Sequence, residues 1–564
     1  MTSANDTNGR KRSSAMRRYG PLIAVVVVIA IVIAAVAIAS GGGGGSSNKS
    51  SSSSSSGNTG VVMLNSSNRD SINWGPNCDT KTGKIAIPYN YAAPCVKPFT
   101  GSNGGATSDG VTANSIKVVV YVADPAKNPL QAASVENAGV NLNPANIQAT
   151  YKGYIDLFQK YYETYGRKVD VVYYKGTGGP TDEVQARADA QAIADMHPFA
   201  VLNGANQTQV WTDAVTAHHI LCLGNCPGPV TQAFTIPREP YIWSYGPLPE
   251  QGSLLTADLI HKEFEGKDAT FAGDTAMHHK KRVFGIVHYD TPDGEQQPAF
   301  QVLKNELKKD GVNDAVDISF NLQPGKDRSA EVSKLKQAGV TTVIYTGDPL
   351  TPTDLTKAAT AQNYFPEWIL GSNVLADTAV FARQFDQKQW AHMVGIALLN
   401  PARTEQNANP GYLLYKWFTG KPPPSSTYGV LLPDPTTLFN GIQLAGPHLT
   451  PETFKDGMFN SPVLGGTPLS PRVSRGDHGF WPGTDYGGSD DAGLIWWNPT
   501  ATGQDEIGQV AKGLYEYVQG GKRYTYGNFP TSDPGFFDPK TSVTIYKSVP
   551  PSMAPPSYPS PAKQ

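Results

Sequence analysis

The chain has 564 residues, with 46 Lys and Arg against 48 Asp and Glu and a formal net charge of -2 at pH 7. That length exceeds one compact domain, so two or more lobes are expected. No long basic run occurs beyond the first eighteen residues. Because nucleic-acid binders carry a concentrated cationic surface, this charge pattern disfavours a nucleic-acid partner. The 57 Gly and 45 Pro predict long loops and flexible tails.

The N-terminal region contains an apolar run at residues 21–40, PLIAVVVVIAIVIAAVAIAS, which carries no charge. As a helix it spans about 30 Å, the thickness of a bilayer core. Basic residues precede it and Gly and Ser follow it, which predicts one transmembrane helix with residues 1–20 cytoplasmic. A cleaved signal peptide is the alternative, because Ala37-Ile38-Ala39 before Ser40 matches a small-residue cleavage site. The length of the run favours the anchor, and both interpretations place the folded region outside the cytoplasm.

Two further segments, one after the apolar run and one at the C-terminus, differ in composition from a packed domain. Residues 41–70 are rich in Gly and Ser, which predicts a flexible tether. Residues 549–564 are rich in Pro, and we expect them to be extended and outside the fold.

The four cysteines form two pairs that are close in sequence. Cys78 lies near Cys95, and Cys222 lies near Cys226. In an exported protein, two local disulfides are the simplest interpretation, although four cysteines allow three pairings.

Between residues 115 and 375, strand-like and helix-like runs alternate. The apolar runs IKVVVYV, KVDVVYY, FAVL and ILCL predict the strands of a first sheet, and VFGIVHY, TTVIY and WILG belong to a second sheet with Val316 to Phe320. Amphipathic helices fall between these runs. The alternation predicts two α/β lobes, each a parallel sheet covered by helices, with a ligand cleft between them.

The ordering of these segments resembles a known family. The segments that carry the resemblance are GVTANSIKVVVYVADP, YKGYIDLFQKYYETYGRKVDVVYY, KRVFGIVHYDTPDGEQQPAFQVLKNELKKDGV and RSAEVSKLKQAGVTTVIYTG. They are similar to the type I periplasmic binding proteins, in particular the branched-chain amino acid type substrate-binding proteins of ABC transporters. The resemblance covers roughly residues 110–375. It implies two lobes that close by a hinge on a small solute, without covalent chemistry.

The resemblance and the composition together predict how the chain is divided. The predicted parts are a cytoplasmic segment at 1–20, a transmembrane helix at 21–40, a linker at 41–70, a first lobe at 71–245, a second lobe at 246–390, lobe completion with a C-terminal decoration at 391–548, and a Pro-rich tail at 549–564. The expected protein is a single-pass solute receptor of the cell membrane that serves an ABC importer or a sensor. The absence of a Cys before position 78 removes the family's usual lipid anchor, which the apolar helix would replace.

Candidate solute ligands follow the predicted strands in both lobes. In the first lobe, Asn206, Gln207 and Thr208 open a helix, where free N–H groups and the helix dipole favour a carboxylate. A second interpretation is that these residues only cap the helix.

In the second lobe, Tyr289 and Asp290 end one strand and Thr346 follows another. Asp290 is expected to receive an ammonium group, with a turn or helix cap as the alternative. Asp348 is also an acid at a strand end, but Pro349 after it favours a turn.

The sequence supports an enzyme or a metal site less well than a solute-binding protein. An extracytoplasmic enzyme with an active site in 390–548 is the alternative function, but no GxSxG, GxxxxGK[ST] or HExxH motif occurs, and the turn KGTGGPT lacks the third Gly of a dinucleotide loop. Zinc on His218, His219 and the following cysteines has no matching spacing. A calcium site was considered in an acidic, Gly-rich stretch that contains Asp477, Asp485, Asp490 and Asp491, but it does not match an EF-hand loop. No cofactor, metal or catalytic residue is predicted.

Overall fold

The computed structural model describes residues 60–127, 143–179, 182–205, 209–228, 230–291, 294–321, 323, 325–398, 400–506 and 508–563. The predicted transmembrane segment at 21–40 lies outside these ranges. Across the described ranges, no helix combines the length and the apolar character that a membrane crossing needs.

The first lobe is built on a five-stranded parallel sheet with the strand order β4-β3-β5-β6-β7. Its strands are β3 Ser115–Val122, β4 Lys168–Lys175, β5 Ala200–Leu202, β6 Leu221–Gly224 and β7 Ile242–Ser244. The helices between them are α1 Pro144–Tyr161, α2 Glu183–Ala194 and α3 Gln209–Ala217, followed by the short helix Gln232–Thr235. Val118, Val119 and Val120 in the centre of β3 are fully buried, since apolar clusters cover both faces of the sheet. Burial on both faces explains the continuous apolar run of this strand.

The second lobe is built on an eight-stranded sheet with the order β14-β13-β12-β11-β10-β8-β9, and β15 pairs with β13. Its parallel strands are β8 Phe284–Tyr289, β9 Asp314–Phe320, β10 Thr342–Gly347, β11 Glu367–Asn373 and β12 Met393–Ala397. The antiparallel strands are β13 Asp491–Gln504, β14 Val510–Tyr517 and β15 Arg523–Thr525. The helices are α4 Pro249–Leu259, which continues as the π-helical turn Ile260–Phe264, α5 Gln297–Lys309, α6 Ser329–Gln337 and α7 Thr351–Ala361, with the short helices Ala379–Ala382 and Gln387–Trp390. The prediction of two lobes with parallel sheets is confirmed.

The chain passes between the lobes three times. The first crossover, residues 245–248, joins β7 to α4, and the second crossover, residues 398–409, leaves β12 and returns to the first lobe. The returning helices are α8 Pro410–Thr419, the short helix Tyr428–Leu431, α9 Pro433–Ala445 and α10 Pro451–Phe459. Leu438 and Phe454 of these helices share the core that contains Val118 of β3. The third crossover, residues 460–490, then leads to β13.

An N-terminal segment precedes the first lobe. It contains the two-residue strands β1 Cys78–Asp79 and β2 Lys84–Ile85, which pair in antiparallel fashion. Ile87 and Tyr89 of this segment are buried in the core of the first lobe. The segment is therefore packed onto that lobe.

Both predicted disulfides are confirmed. Cys78 is bonded to Cys95, and Cys222 is bonded to Cys226. The second bond excludes the zinc alternative, because neither sulfur is a free thiolate.

The C-terminal tail differs from the expectation that it lies outside the fold. Val549 and Met553 pack against the core of the second lobe. The tail then reaches the first lobe, where Trp417 Nε1 donates to Tyr558 O at 2.8 Å and Tyr558 Oη donates to Asp79 Oδ2 at 2.9 Å. Apolar and aromatic side chains spaced along the tail hold it against both lobes. The proline content, from which an extended tail was expected, does not reveal these contacts.

Candidate functional site

The carboxyl ends of β8, β10 and β11 meet at one edge of the second sheet, beside the first crossover. They enclose a small cavity of about 90 Å³. Tyr289 and Thr346 both line this cavity, so the structure brings these two predicted residues together. His288 Nδ1 and Gln296 Nε2, from two other lining residues, are buried without a hydrogen-bond partner among the described residues. The volume suits several water molecules or a small group of a larger solute.

Asp290 is placed beside this cavity but its carboxylate is engaged. The residue is only 7% exposed. Its Oδ1 accepts hydrogen bonds from Thr291 N at 2.9 Å and Gln296 N at 3.0 Å, and Gln297 Nε2 donates to Oδ2. This geometry is that of a turn at the start of α5. The predicted ammonium contact of Asp290 stays a prediction.

Asp348 makes the turn that its sequence predicts. Its Oδ1 accepts from Leu350 N at 2.7 Å and from Thr351 N at 2.9 Å, ahead of α7. The role of this carboxylate is therefore to hold the loop between β10 and α7.

In the first lobe, the predicted ligands Asn206, Gln207 and Thr208 lie outside the described residues. The residues on either side are described. Asn203 follows β5 with a positive φ of 58° and donates from Nδ2 to Tyr121 O at 3.0 Å. Ligand roles for the three predicted residues stay predictions.

A larger cavity of about 460 Å³ lies between the lobes. All three crossovers line it, through Tyr245 of the first, Asn400 and Thr404 of the second, and Arg475 and Ser489 of the third. The cavity volume falls within the range of about 300 to 1,000 Å³ that is typical of small-molecule sites. Because the crossovers are the connections about which the lobes move, an occupant of this cavity contacts the hinge directly.

Four residues that line this larger cavity carry buried polar atoms without a hydrogen-bond partner among the described residues. The atoms are Thr404 Oγ1, Asn440 Oδ1, Arg475 Nε and Ser489 Oγ. Buried polar groups are nearly always paired in folded proteins, so a group left without a partner needs an explanation. Their convergence on one cavity is typical of a site whose occupant supplies hydrogen bonds.

Tyr245 connects the two cavities, because it lines both. Burial raises the pKa of its phenol to about 12, with further contributions from Asp434 of the first lobe and Asp377 of the second lobe. Burial also raises the pKa of each of these two carboxyl groups to about 7. Buried acids of both lobes therefore act on the phenol of Tyr245 in the cleft.

Gly224, at the end of β6, stands where no other residue fits. Gly224 has a positive φ of 67°, and a Cβ at that position would lie 2.2 Å from Asp434 Oδ1. The missing side chain lets Asp434 approach the backbone, where Asn225 N donates to its Oδ1 at 2.7 Å. This contact fixes α9 against the first sheet.

The sequence did not point to the residues of the larger cavity. Arg475 lies in the RGD tripeptide of the third crossover, and it is buried, so the tripeptide is not displayed as a surface recognition motif. The acidic stretch after it also has a structural role. Gln251 Nε2 donates to Asp485 Oδ1 at 2.6 Å, and Ser474 Oγ donates to Asp490 Oδ2 at 2.7 Å. Among the described residues, no group of three His, Cys, Asp or Glu side chains could hold a metal ion.

Comparison with known proteins decides the family. A family model described as periplasmic binding protein matches residues 145–480, more than half of the chain. The chain belongs to the periplasmic binding protein family. The matched part runs from α1 into the third crossover, so the N-terminal segment and the antiparallel strands β13 to β15 lie outside it.

Solved structures of this type are similar to the chain at low identity. The leucine-, isoleucine-, valine-, threonine-, and alanine-binding protein from Brucella ovis, in its closed conformation, has a TM-score of 0.51 and 12% identity, covering 77% of this chain and 100% of that chain. A solute binding protein from R. palustris in complex with 4-hydroxybenzoate has a TM-score of 0.47 and 12% identity, covering 74% and 98%. A fatty acid ABC transporter substrate-binding protein from Thermomonospora curvata has a TM-score of 0.46 and 13% identity, covering 73% and 95%. The first of these likenesses shows the fold alone. No curated protein sequence matches the chain.

Proposed function

We propose that this chain is an extracytoplasmic solute-binding protein, anchored to the cell membrane, that captures a small polar metabolite between its lobes for an ABC importer or a sensor. The family supports the binding role, and the observation that carries it is the 460 Å³ cavity lined by all three crossovers. A solute that contacts the hinge segments in one arrangement of the lobes shifts the equilibrium toward that arrangement. The proposal includes no covalent chemistry.

A thermal-shift screen tests the binding role. Amino acids are the first compounds, since the Brucella ovis protein is named for five of them, and amides, small acids, peptides and sugars follow. A ligand of the folded state stabilises it by a free energy that grows with the logarithm of the ligand concentration, about 2.7 kcal/mol at 100 times Kd, and so raises the melting temperature. At least one class should give a saturable shift. Absence of any shift across the classes would contradict the binding role.

The larger cavity is tested by a substitution at the residue that both cavities share. We expect Tyr245→Ala to weaken binding of the compound that the screen identifies, because Tyr245 lines both cavities. Tyr412→Ala is the control, since Tyr412 is a partly buried aromatic residue of the first lobe that does not line either cavity. Calorimetry should show weaker binding for the first variant alone. Equal binding by both variants would place the solute elsewhere.

The membrane anchor is supported by the uncharged run at 21–40 and by the basic residues before it. Intact-mass analysis of the membrane fraction should detect a chain that retains Val25 to Ile38. A mature N-terminus near Ser40 would refute the anchor and leave export unaffected.

A further inference from the structure

Arg475 is a buried cation with few hydrogen bonds. It is 7% exposed, and its Nη2 donates to Ser244 O at 2.7 Å. This bond is the one that its guanidinium forms with the described residues, and Nε is buried without a partner. A guanidinium has five N–H groups to donate, so most of the donor capacity of Arg475 is unused.

Other buried arginines of the same chain are better satisfied. Arg167 donates four hydrogen bonds to backbone carbonyl oxygens, and Arg383 donates four to backbone carbonyl oxygens and one to the Asp505 carboxylate. Arg523 donates three and pairs with Asp491 at 2.7 Å. Arg328 makes two long contacts, one of them to a carboxylate at 3.4 Å. Arg475 forms no ion pair with a described residue and also lines the 460 Å³ cavity.

The other charged residues that line this cavity are neutralised in pairs. Arg403 Nε lies 3.3 Å from Glu506 Oε1, and Arg383 Nη1 lies 2.6 Å from Asp505 Oδ2. Pairing of these side chains leaves Arg475 as the cation of the described lining that has no carboxylate within ion-pair distance.

Two acids lie near Arg475 without pairing to it. Asp485 and Asp490 both act on its charge from beyond ion-pair distance, and burial lowers the pKa of Arg475 to about 10. Burial and repulsion by Asp490 raise the pKa of Asp485 well above its usual range, and burial also raises the pKa of Asp490. Both acids favour the charged form of the guanidinium, but neither forms an ion pair with it.

The rest of the cavity wall is largely apolar or aromatic on the side of the third crossover. Leu464, Leu469 and Val473 of that crossover line it together with Tyr89 and Tyr91 of the N-terminal segment. Tyr91 is fixed there, because its Oη donates to Pro471 O at 2.9 Å. An apolar or aromatic body of a solute would bury surface against these side chains.

We propose that Arg475 anchors a carboxylate of the solute, and that the solute is a small carboxylic acid with an apolar or aromatic body. This inference rests on the proposed function and names the class of solute. A carboxylate accepts two parallel hydrogen bonds from a guanidinium, which matches the unused donors. The hydroxyl groups of Thr404 and Ser489, two residues that line the same cavity, can donate to the carboxylate, and Asn440 Oδ1 can accept from a donor elsewhere on the solute.

Matched pairs of compounds test the class. The probes are butanoate, 4-methylpentanoate, benzoate, phenylacetate and L-leucine, each beside its primary amide, added to the wild-type protein in a thermal-shift assay and then in calorimetry. We expect at least one acid to bind and its amide to bind about tenfold more weakly or worse, because a charge-assisted hydrogen bond is lost. An amide that binds as tightly as its acid would overturn the inference.

Variants at one position then assign the contact. Arg475→Gln should bind the acid about tenfold or more weakly than the wild type. The affinity of Arg475→Lys should lie between those of the wild type and Arg475→Gln, because a lysine keeps the charge but not the planar, fork-shaped guanidinium. Arg472→Gln is the control, since Arg472 lies in the same crossover with its guanidinium 5.0 Å from the centre of the Phe480 ring, and it should bind like the wild type.

The outcomes separate this inference from the proposed function. Wild-type affinity for the acid in a folded Arg475→Gln protein would refute the contact. If Arg475→Gln does not fold, Arg475→Lys and the comparison of acid with amide in the wild type still decide the question. Saturable binding of neutral or cationic solutes alone would refute the carboxylate and retain a solute-binding protein, whereas no binding by any compound would refute both.

Discussion

Replacement of Asp434 by Ala tests how the first lobe is held together at the cleft. Asp434 is fully buried in the first turn of α9. Its Oδ1 accepts from both Asn225 N and Asn225 Nδ2 at 2.7 Å, and its Oδ2 accepts from Tyr151 Oη at 2.7 Å. One carboxylate thus joins α9 to the end of β6 and to α1.

The expected cost follows from these three donors. A buried donor that loses its partner costs about 1 to 3 kcal/mol. Water can enter the space left by the side chain and restore part of the lost hydrogen bonding. We therefore expect Asp434→Ala to lower the free energy of unfolding by about 3 to 5 kcal/mol. Asp434→Asn keeps an oxygen for Asn225, and the hydroxyl of Tyr151 can accept from the new amide, so its cost should be about 1 kcal/mol.

Urea unfolding followed by tryptophan fluorescence measures both variants. Asp156→Ala is the matched control, because Asp156 is a half-exposed acid on α1 that pairs with Lys152, and such surface pairs contribute about 0 to 1 kcal/mol. A loss below 1 kcal/mol for Asp434→Ala would refute the reasoning. Equal losses for the Ala and Asn variants would show that the charge, and not the acceptor oxygen, holds the helix.

Three further predictions concern stability. Burial raises the pKa of Asp377 from 3.8 to about 7, so its stabilising contribution is complete below pH 3.8 and is lost as the pH rises through 7. Urea unfolding should show a free energy that falls as the pH rises through this window, and Asp377→Asn should remove up to about 1.4 kcal/mol per pH unit of that slope; an unchanged slope would contradict the assignment. Removing the Cys78–Cys95 bond, with a sequence separation of 17, by substituting both cysteines with Ala should cost about 3 kcal/mol in the same assay, and unchanged stability would contradict a structural role. Glu367→Gln should cost about 3 to 5 kcal/mol, because Arg282 Nε lies 2.7 Å from Glu367 Oε2 and both side chains are at most 3% exposed; a loss below 1 kcal/mol would argue against this pair.

The parallel part of the fold was predictable because its elements carry local patterns. The strand IKVVVYV is β3, and one of the amphipathic helices predicted between the strands is α1, in which Tyr151 and Phe158 are buried. The last parallel strand, β12, and the antiparallel strands β13 to β15 were not predicted. β13 contains Gly and Pro, and its apolar half is buried by pairing with β12, which lies far away in the sequence. Such a strand is defined by its distant partners more than by its own residues.

The candidate site was predictable to the extent that it follows from strand ends. The rule that ligands bind beyond the carboxyl ends of parallel strands led to Tyr289 and Thr346, which line one cavity, and their contact with a solute stays a prediction. It did not lead to Arg475, whose surroundings depend on a contact with Ser244 at a sequence separation of 231 residues. The short pattern around Arg475 contains no sign of burial, so only the folded chain shows which cation lines the larger cavity.

The C-terminal tail connects these observations to movement of the lobes. Met553 packs against the core of the second lobe, whereas Tyr558 is hydrogen bonded to Asp79 and Trp417 in the first lobe. The tail therefore bridges the lobes independently of the three crossovers. A change in the angle between the lobes must be absorbed by residues 554–557 or must break these contacts, since the crossovers and the tail hold the same two bodies. The N-terminal segment adds a second bridge of this kind, because Asn90 Nδ2 donates to Ser470 Oγ at 2.7 Å and to Met553 O at 3.3 Å. The tail and the N-terminal segment both lie outside the family match, and the contacts that join them to each other and to the third crossover involve Asn90 and Ser470, which line the larger cavity.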